Sequence, residues 1–144
     1  MTPYIHTVKY YETDRMGITH HSNYVRWMEE ARIDFLEQIG WGLDRIEAMG
    51  IVSPVVSITC KYKQTTTFPE KISIVVTLEE VRGARLKLRY IMKNEAGRTV
   101  LEANSENCFT DASGKILRLD RQFPEFYVAL CELAESAPDA AKKK

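Results

Sequence analysis

A long antiparallel sheet wrapped around one central helix, an α+β arrangement, is the fold class this sequence predicts. Apolar residues recur at helical spacing between about residues 22 and 39, and then at a two-residue spacing through most of the stretch from Pro54 to Asp111. Short turn signals at Arg82-Gly83, Asn94 to Gly97 and Asp111 to Lys115 separate the alternating runs, as antiparallel neighbours require.

In chain order, Tyr4 to Tyr11 can form an extended segment, which "ETDRMG" breaks with polar groups and a glycine. Tyr24, Met28, Ala31, Phe35 and Ile39 then mark one face of a helix, and Trp27 and Leu36 widen that face enough to predict a helix enclosed by the rest of the fold. Ser22 or Asn23 is expected to cap it and Gly40 to end it. A shorter helix over "LDRIEAMG" follows. Val56, Ile58, Cys60 and Tyr62 alternate with polar residues, as do Ile72, Ile74, Val76 and Leu78, and then Leu86, Leu88, Tyr90 and Met92; each reads as a half-buried strand. A last strand from about Arg98 to Asp111 completes an expected meander of four, and Phe123, Phe126, Tyr127, Leu130 and Leu133 predict a terminal helix. A single helix covers only one face of such a sheet, so a partner subunit extending the sheet edge to edge is expected: a homodimer, with a homotetramer open.

The 144 residues, 44% of them hydrophobic, suffice for one core and not for two. We expect a single domain over residues 1–135 and a small, polar, disordered tail over 136–144. Twenty basic and twenty acidic side chains give a formal net charge of +0, which builds in no attraction to nucleic acid or to an anionic membrane. No apolar run approaches the roughly 20 residues that span a bilayer, and "MTPYIHTVKYYETD" lacks the apolar core of a secretory signal, so a cytoplasmic location is expected. Cys60, Cys108 and Cys131 are odd in number and widely spaced, which fits neither a disulfide framework nor a zinc knuckle.

The chemistry concentrates in "YYETDRMGITHHSNYVRW". Taken alone, Asp14 is a turn cap, Gly17 a source of positive φ, and His20 and His21 ordinary loop residues. A metal site would need His20, His21 and His6 to converge, and adjacent histidines converge poorly. The third reading is acyl transfer without a serine or cysteine nucleophile. A carboxylate just before a helix start lies beside unpaired backbone N–H groups and the positive end of the helix dipole, where a developing oxyanion can be held. A thiol leaving group departs as thiolate with little acid help, so a thioester would need little more than these two parts.

The run "YYETDRMGITHHSNYVRWMEEAR" resembles the signature of the hotdog-fold acyl-CoA thioesterases related to 4-hydroxybenzoyl-CoA thioesterase. The matching positions are Asp14, Gly17, His21, Asn23, Tyr24, Glu29, Ala31 and Arg32, and the resemblance extends over about Tyr4 to Arg121. It implies a hotdog fold, an acyl-CoA substrate, no cofactor, and Asp14 as the catalytic carboxylate, either attacking the thioester or activating a water. It further implies that His21 marks the oxyanion-binding helix start, that Gly17 lets the loop turn close to substrate, and that Asn23 and Tyr24 contribute to the substrate site. Relatives often carry a small residue where Met16 stands and an aromatic where His20 stands, which makes the loop here bulkier and more polar.

Several assignments compete at this level. Another hotdog branch uses a helix carboxylate, which would be Glu29; a structural ion pair or hydrogen bond is the expected job for it here. Thr65 could supply a hydroxyl from the neighbouring subunit, against the plainer reading of "TTT" as an exposed strand end. Arg85, Lys87 and Arg89, with Lys61 and Lys63, could form a basic rim for the phosphates of CoA, although such alternation is commonly a solvated sheet face. The alternatives to an acyl-CoA thioesterase are an acyl-carrier-protein thioesterase and a non-catalytic acyl-CoA-binding hotdog protein; dehydratase-type hotdogs are disfavoured because their histidine–carboxylate pair is not evident.

Overall fold

The computed structural model describes residues 1–136, so the tail expected over 136–144 lies, from residue 137 onward, outside the described residues. Ten elements follow in order. Strand β1 (Tyr4–Thr7) and a 3-10 turn (Tyr10–Glu12) precede the long helix α1 (Ser22–Gln38) and the short α2 (Leu43–Ala48). Strands β2 (Val55–Tyr62), β3 (Lys71–Arg82), β4 (Arg85–Lys93) and β5 (Thr99–Cys108) then lead to α3 (Leu119–Gln122) and α4 (Pro124–Glu135).

All five strands join one antiparallel sheet in the order β1-β3-β4-β5-β2. The hotdog expectation holds: the inward residues of β3 and β4 (Ile72, Ile74, Leu78, Leu86, Leu88, Tyr90 and Met92) are all buried, and they share one core with Trp27, Met28, Ala31 and Phe35 of α1. The helix stripe read from spacing is the buried face, with Ile39 half-buried at its end. Gly40 stops the helix at φ +82. At the far end of the core, Phe126 of α4 stacks on Trp41 at 4.8 Å and meets the edge of Phe109 at 5.7 Å.

Four local expectations are corrected. The extended amino-terminal segment stops at Thr7, because Tyr10 to Glu12 coil into a 3-10 turn held by Glu12 N–H donating to the Lys9 carbonyl. The strands do not form a simple meander: β2 pairs with β5 at the opposite side of the sheet from β1, not with β3. The eight residues from Lys63 to Glu70 hold no tight-turn signal and can reach roughly 26 Å when extended, enough to cross the three interstrand spacings of about 4.8 Å that part β2 from β3. Being an edge strand, β2 is less buried than its alternation suggested; Ile58 and Cys60 are half-buried, whereas Val56 and Tyr62 are exposed. Finally, neither Ser22 nor Asn23 caps α1. His21 occupies the N-cap with helical dihedrals and makes no side-chain cap, since Ser22 is bonded to His20 Nδ1 and Asn23 is drawn back to the preceding loop.

Candidate active site

The loop between the 3-10 turn and α1 folds back on itself like a miniature hairpin. Thr13 and Thr19 form a bridge, Asp14 N–H donates to the Ile18 carbonyl (2.8 Å), and Gly17 N–H donates to the Asp14 carbonyl (3.0 Å). Gly17 sits at φ +78, and a Cβ there would meet nothing within 4 Å, so the loop needs glycine for its backbone angle rather than for close approach of a neighbour. Asp14 Oδ1 accepts the Met16 N–H at 2.8 Å, which fixes the carboxylate and leaves its second oxygen without a donor among the described residues.

This loop forms one wall of an open cleft of about 320 Å³. Asp14, His21, Tyr24 and Thr65 all line it, as do Met16 and Lys63. Thr65 thus lines the cleft of its own chain. Gly17 and Asn23 do not line the cleft. Asn23 is buried, and its amide donates to the carbonyls of Glu12 (2.9 Å) and His20 (3.2 Å), which makes it a tie between the loop and the helix start.

At the start of α1 the first donors are partly used: His20 N–H goes to the Glu12 carbonyl and Asn23 N–H to the His20 carbonyl. The His21 N–H has no acceptor among the described residues, and it belongs to an exposed residue of the cleft wall. An unpaired N–H at a helix start is a site for negative charge. His20 stacks on His21 at 4.4 Å, while Tyr62 packs edge-on against Tyr24 at 5.6 Å and His21 at 6.4 Å, so an aromatic wall faces the carboxylate loop.

Sequence reading missed the residues that brace this arrangement. Of three consecutive threonines, it is Thr66, 1% exposed, whose hydroxyl lies 2.6 Å from Thr19 Oγ1 and 3.0 Å from the Tyr24 phenol. Thr67 Oγ1 donates to the Gly17 carbonyl at 2.6 Å. The segment between β2 and β3 thus straps the Asp14 loop from outside. Burial pushes the Tyr24 hydroxyl above its ordinary value, against the opposing hydrogen bonds of Thr66 and Thr19, so at neutral pH Tyr24 remains a proton donor. Thr66→Val keeps the shape and deletes the hydroxyl that joins Thr19 to Tyr24; a loss of about 1–3 kcal/mol in urea unfolding is expected.

The rival carboxylate is elsewhere. Glu29 is exposed, and the ion pair or hydrogen bond expected of it is made instead by Glu30, which accepts the Tyr4 hydroxyl at 2.7 Å and faces His6 Nδ1 at 3.3 Å. Glu29 borders a second, more apolar cavity of about 250 Å³ between α1, α2 and the sheet, walled by Ile33, Leu43, Ile51, Leu86 and Phe109; it shares no residue with the Asp14 cleft. Of the basic residues, Arg85 pairs with Glu106, Lys87 with Glu80 and Arg89 with Glu102, the pattern of a solvated sheet face. Only Lys63 among them borders the cleft, held loosely by Glu102 at 3.8 Å.

The model of the thioesterase-like superfamily matches residues 8–142 of this sequence. The chain belongs to that superfamily. The expected enzyme class, a thioester hydrolase, stands with it. The chain is 32% identical to YneP of Bacillus subtilis, provisionally named an acyl-CoA thioesterase, over 123 residues that cover 85% of this chain and 89% of that protein. A solved DHNA-CoA thioesterase of Staphylococcus aureus superposes with a TM-score of 0.89 at 30% identity, covering 93% of this chain and 91% of the other. A more distant relative, the 1,4-dihydroxy-2-naphthoyl-CoA hydrolase of Thermosynechococcus vestitus, is 24% identical over 105 residues, 72% of each chain.

Proposed function

We propose that this member of the superfamily hydrolyses acyl-CoA to a free carboxylic acid and CoA, with Asp14 as the catalytic carboxylate. The observation that carries the reading is that Asp14 and His21, whose N–H has no acceptor among the described residues, line one cleft. The thioester carbonyl oxygen would rest on the His21 N–H, and the negative charge that builds there in the tetrahedral stage meets the helix start. On the general-base route the activated water supplies the new oxygen of the acid. On the covalent route Asp14 supplies it through an acyl-aspartyl anhydride, and water restores Asp14 by attack at the aspartyl carbonyl. On either route the sulfur leaves as thiolate and is protonated by solvent. No cofactor enters this balance. Relatives named for aromatic acyl-CoA substrates, and the aromatic wall of His21, Tyr24 and Tyr62, favour an aromatic acyl group. Lys63 at the cleft's border is placed to meet an anionic portion of CoA.

The chain would act as one domain over residues 1–135, assembled as a homodimer in the cytoplasm. The free side of β2, with Val55, Val56 and Tyr62 exposed, is an uncovered sheet edge that a second copy would extend. No described helix is long and apolar enough to cross a membrane. Thiol release from short, long and aromatic acyl-CoAs, alongside the same acyl groups on a carrier protein, tests the reading. Aromatic acyl-CoA is expected to give the highest kcat/KM. Faster turnover of the carrier-bound ester would replace CoA as the physiological carrier, and binding of acyl-CoA without any thiol release would mark a non-catalytic protein.

A further inference from the structure

Beneath the Asp14 loop lies a buried polar cluster that the chemistry above does not use. Glu12 is 6% exposed, yet its carboxylate receives three donors: the Lys9 N–H at 2.7 Å and His6 Nε2 at 2.9 Å on one oxygen, and Trp27 Nε1 at 2.8 Å on the other. The other nitrogen of His6, Nδ1, faces Glu30 at 3.3 Å, so the ring lies between two carboxylates. The His6 ring also lies against Trp27, with centroids 4.4 Å apart. Burial works against the charged form of Glu12, but the hydrogen bonds from Trp27, His6 and Lys9 overcome it and hold the carboxyl below its ordinary range.

A buried carboxylate is a poor way to gain stability, because the cost of desolvating the charge offsets much of what its hydrogen bonds return. What this one does is fix geometry. The backbone carbonyl of the same Glu12 accepts both the His20 N–H (2.8 Å) and the Asn23 amide (2.9 Å). Glu12 therefore joins four things: β1 through His6, the body of α1 through Trp27, the segment leading into Asp14 two residues later, and the segment that presents His21. Any tilt of Glu12 displaces the carboxylate and the oxyanion donor relative to each other.

We infer that Glu12, locked by His6 and Trp27, is a positioning residue that sets the spacing between the Asp14 carboxylate and the His21 N–H. This rests on Asp14 being the catalytic group. Misplacement by about an ångström can cost on the order of 100-fold in rate without loss of binding, so the effect belongs in kcat.

The test uses Glu12→Gln, which keeps length and the backbone carbonyl but turns an amide N–H toward one of the donors. Glu30→Gln serves as comparison, since it disturbs the other side of His6 and touches nothing in the loop. Rates are taken per folded protein, well below each variant's melting temperature. Glu12→Gln is expected to lower kcat at least about tenfold with KM within about twofold, and Glu30→Gln to lower the melting temperature with kcat retained. In an Asp14→Asn background, Glu12→Gln should cost much less than in the wild type, because the spacing it sets matters chiefly while the Asp14 carboxylate is present. Unchanged kcat in folded Glu12→Gln, or the same loss in both backgrounds, overturns the inference and leaves the role of Asp14 intact. Full activity in Asp14→Asn alone overturns the catalytic reading first, and this inference with it.

Discussion

Asp14→Asn is expected to lower kcat for acyl-CoA hydrolysis by on the order of 100-fold or more, with KM and the melting temperature little changed. The substitution is nearly isosteric, and the hydrogen bond that the side chain accepts from the Met16 N–H at Oδ1 is available to the asparagine carbonyl oxygen. The turn closed by Asp14, Gly17 and Ile18 depends on backbone groups, which the variant retains. What disappears is the only property that the chemistry needs, a negative oxygen able to attack carbon or accept a water proton. The remaining rate should reflect polarisation of the carbonyl at the His21 N–H. A single turnover in ¹⁸O-water separates the two roles of the carboxylate: attack by Asp14 followed by hydrolysis at the aspartyl carbonyl leaves unlabelled acid and labelled Asp14, whereas general-base action labels the acid. If Asp14→Asn retains wild-type kcat, the assignment moves to Glu29, which faces the separate apolar cavity and whose Glu29→Gln variant would then be the inactive one.

The parts of this molecule that a linear reading found are those decided locally. A 3.6-residue stripe from Tyr24 to Phe35 buries itself in whatever surrounds it, and alternation in β3 and β4 fixes which face turns inward before any partner strand is chosen. The loop carrying Asp14 and His21 was found through its family resemblance, and its φ-positive Gly17 through ordinary turn logic. The position of β2 was not legible, because pairing with β5 rather than β3 is settled across the whole sheet and leaves no mark in eight residues. Thr66 could not be told from Thr65 and Thr67, since which of three threonines turns inward depends on the path of the strap across the loop. Glu12 and His6 were hidden for a different reason. A carboxylate buried against a histidine and a tryptophan breaks the rule that polar residues face water, and the only hint was a histidine on an inward position of β1.

Glu12→Ala is expected to be the costliest of these substitutions for stability, at about 3–5 kcal/mol, or roughly 10–20 °C in melting temperature. The loss arises because Trp27 Nε1 and His6 are both buried and would be left without their acceptor; Lys9 is exposed, so its freed N–H can turn to water. The pH dependence fixes the origin of the effect. In the folded protein the Glu12 carboxyl lies below its ordinary value of 4.5, so the unfolded chain takes up a proton before the folded one does. The stabilisation that Glu12 contributes is therefore complete above about pH 4.5 and is lost as the pH falls through the lower, folded-state value. Melting curves of wild type and Glu12→Ala should stand farthest apart near neutrality and converge in acid. A gap that stays constant through the acid range would mean that Glu12 is not ionised in the folded protein. An absent gap at neutral pH would mean that Trp27 and His6 find other acceptors, and the cluster would then hold neither the fold nor the loop.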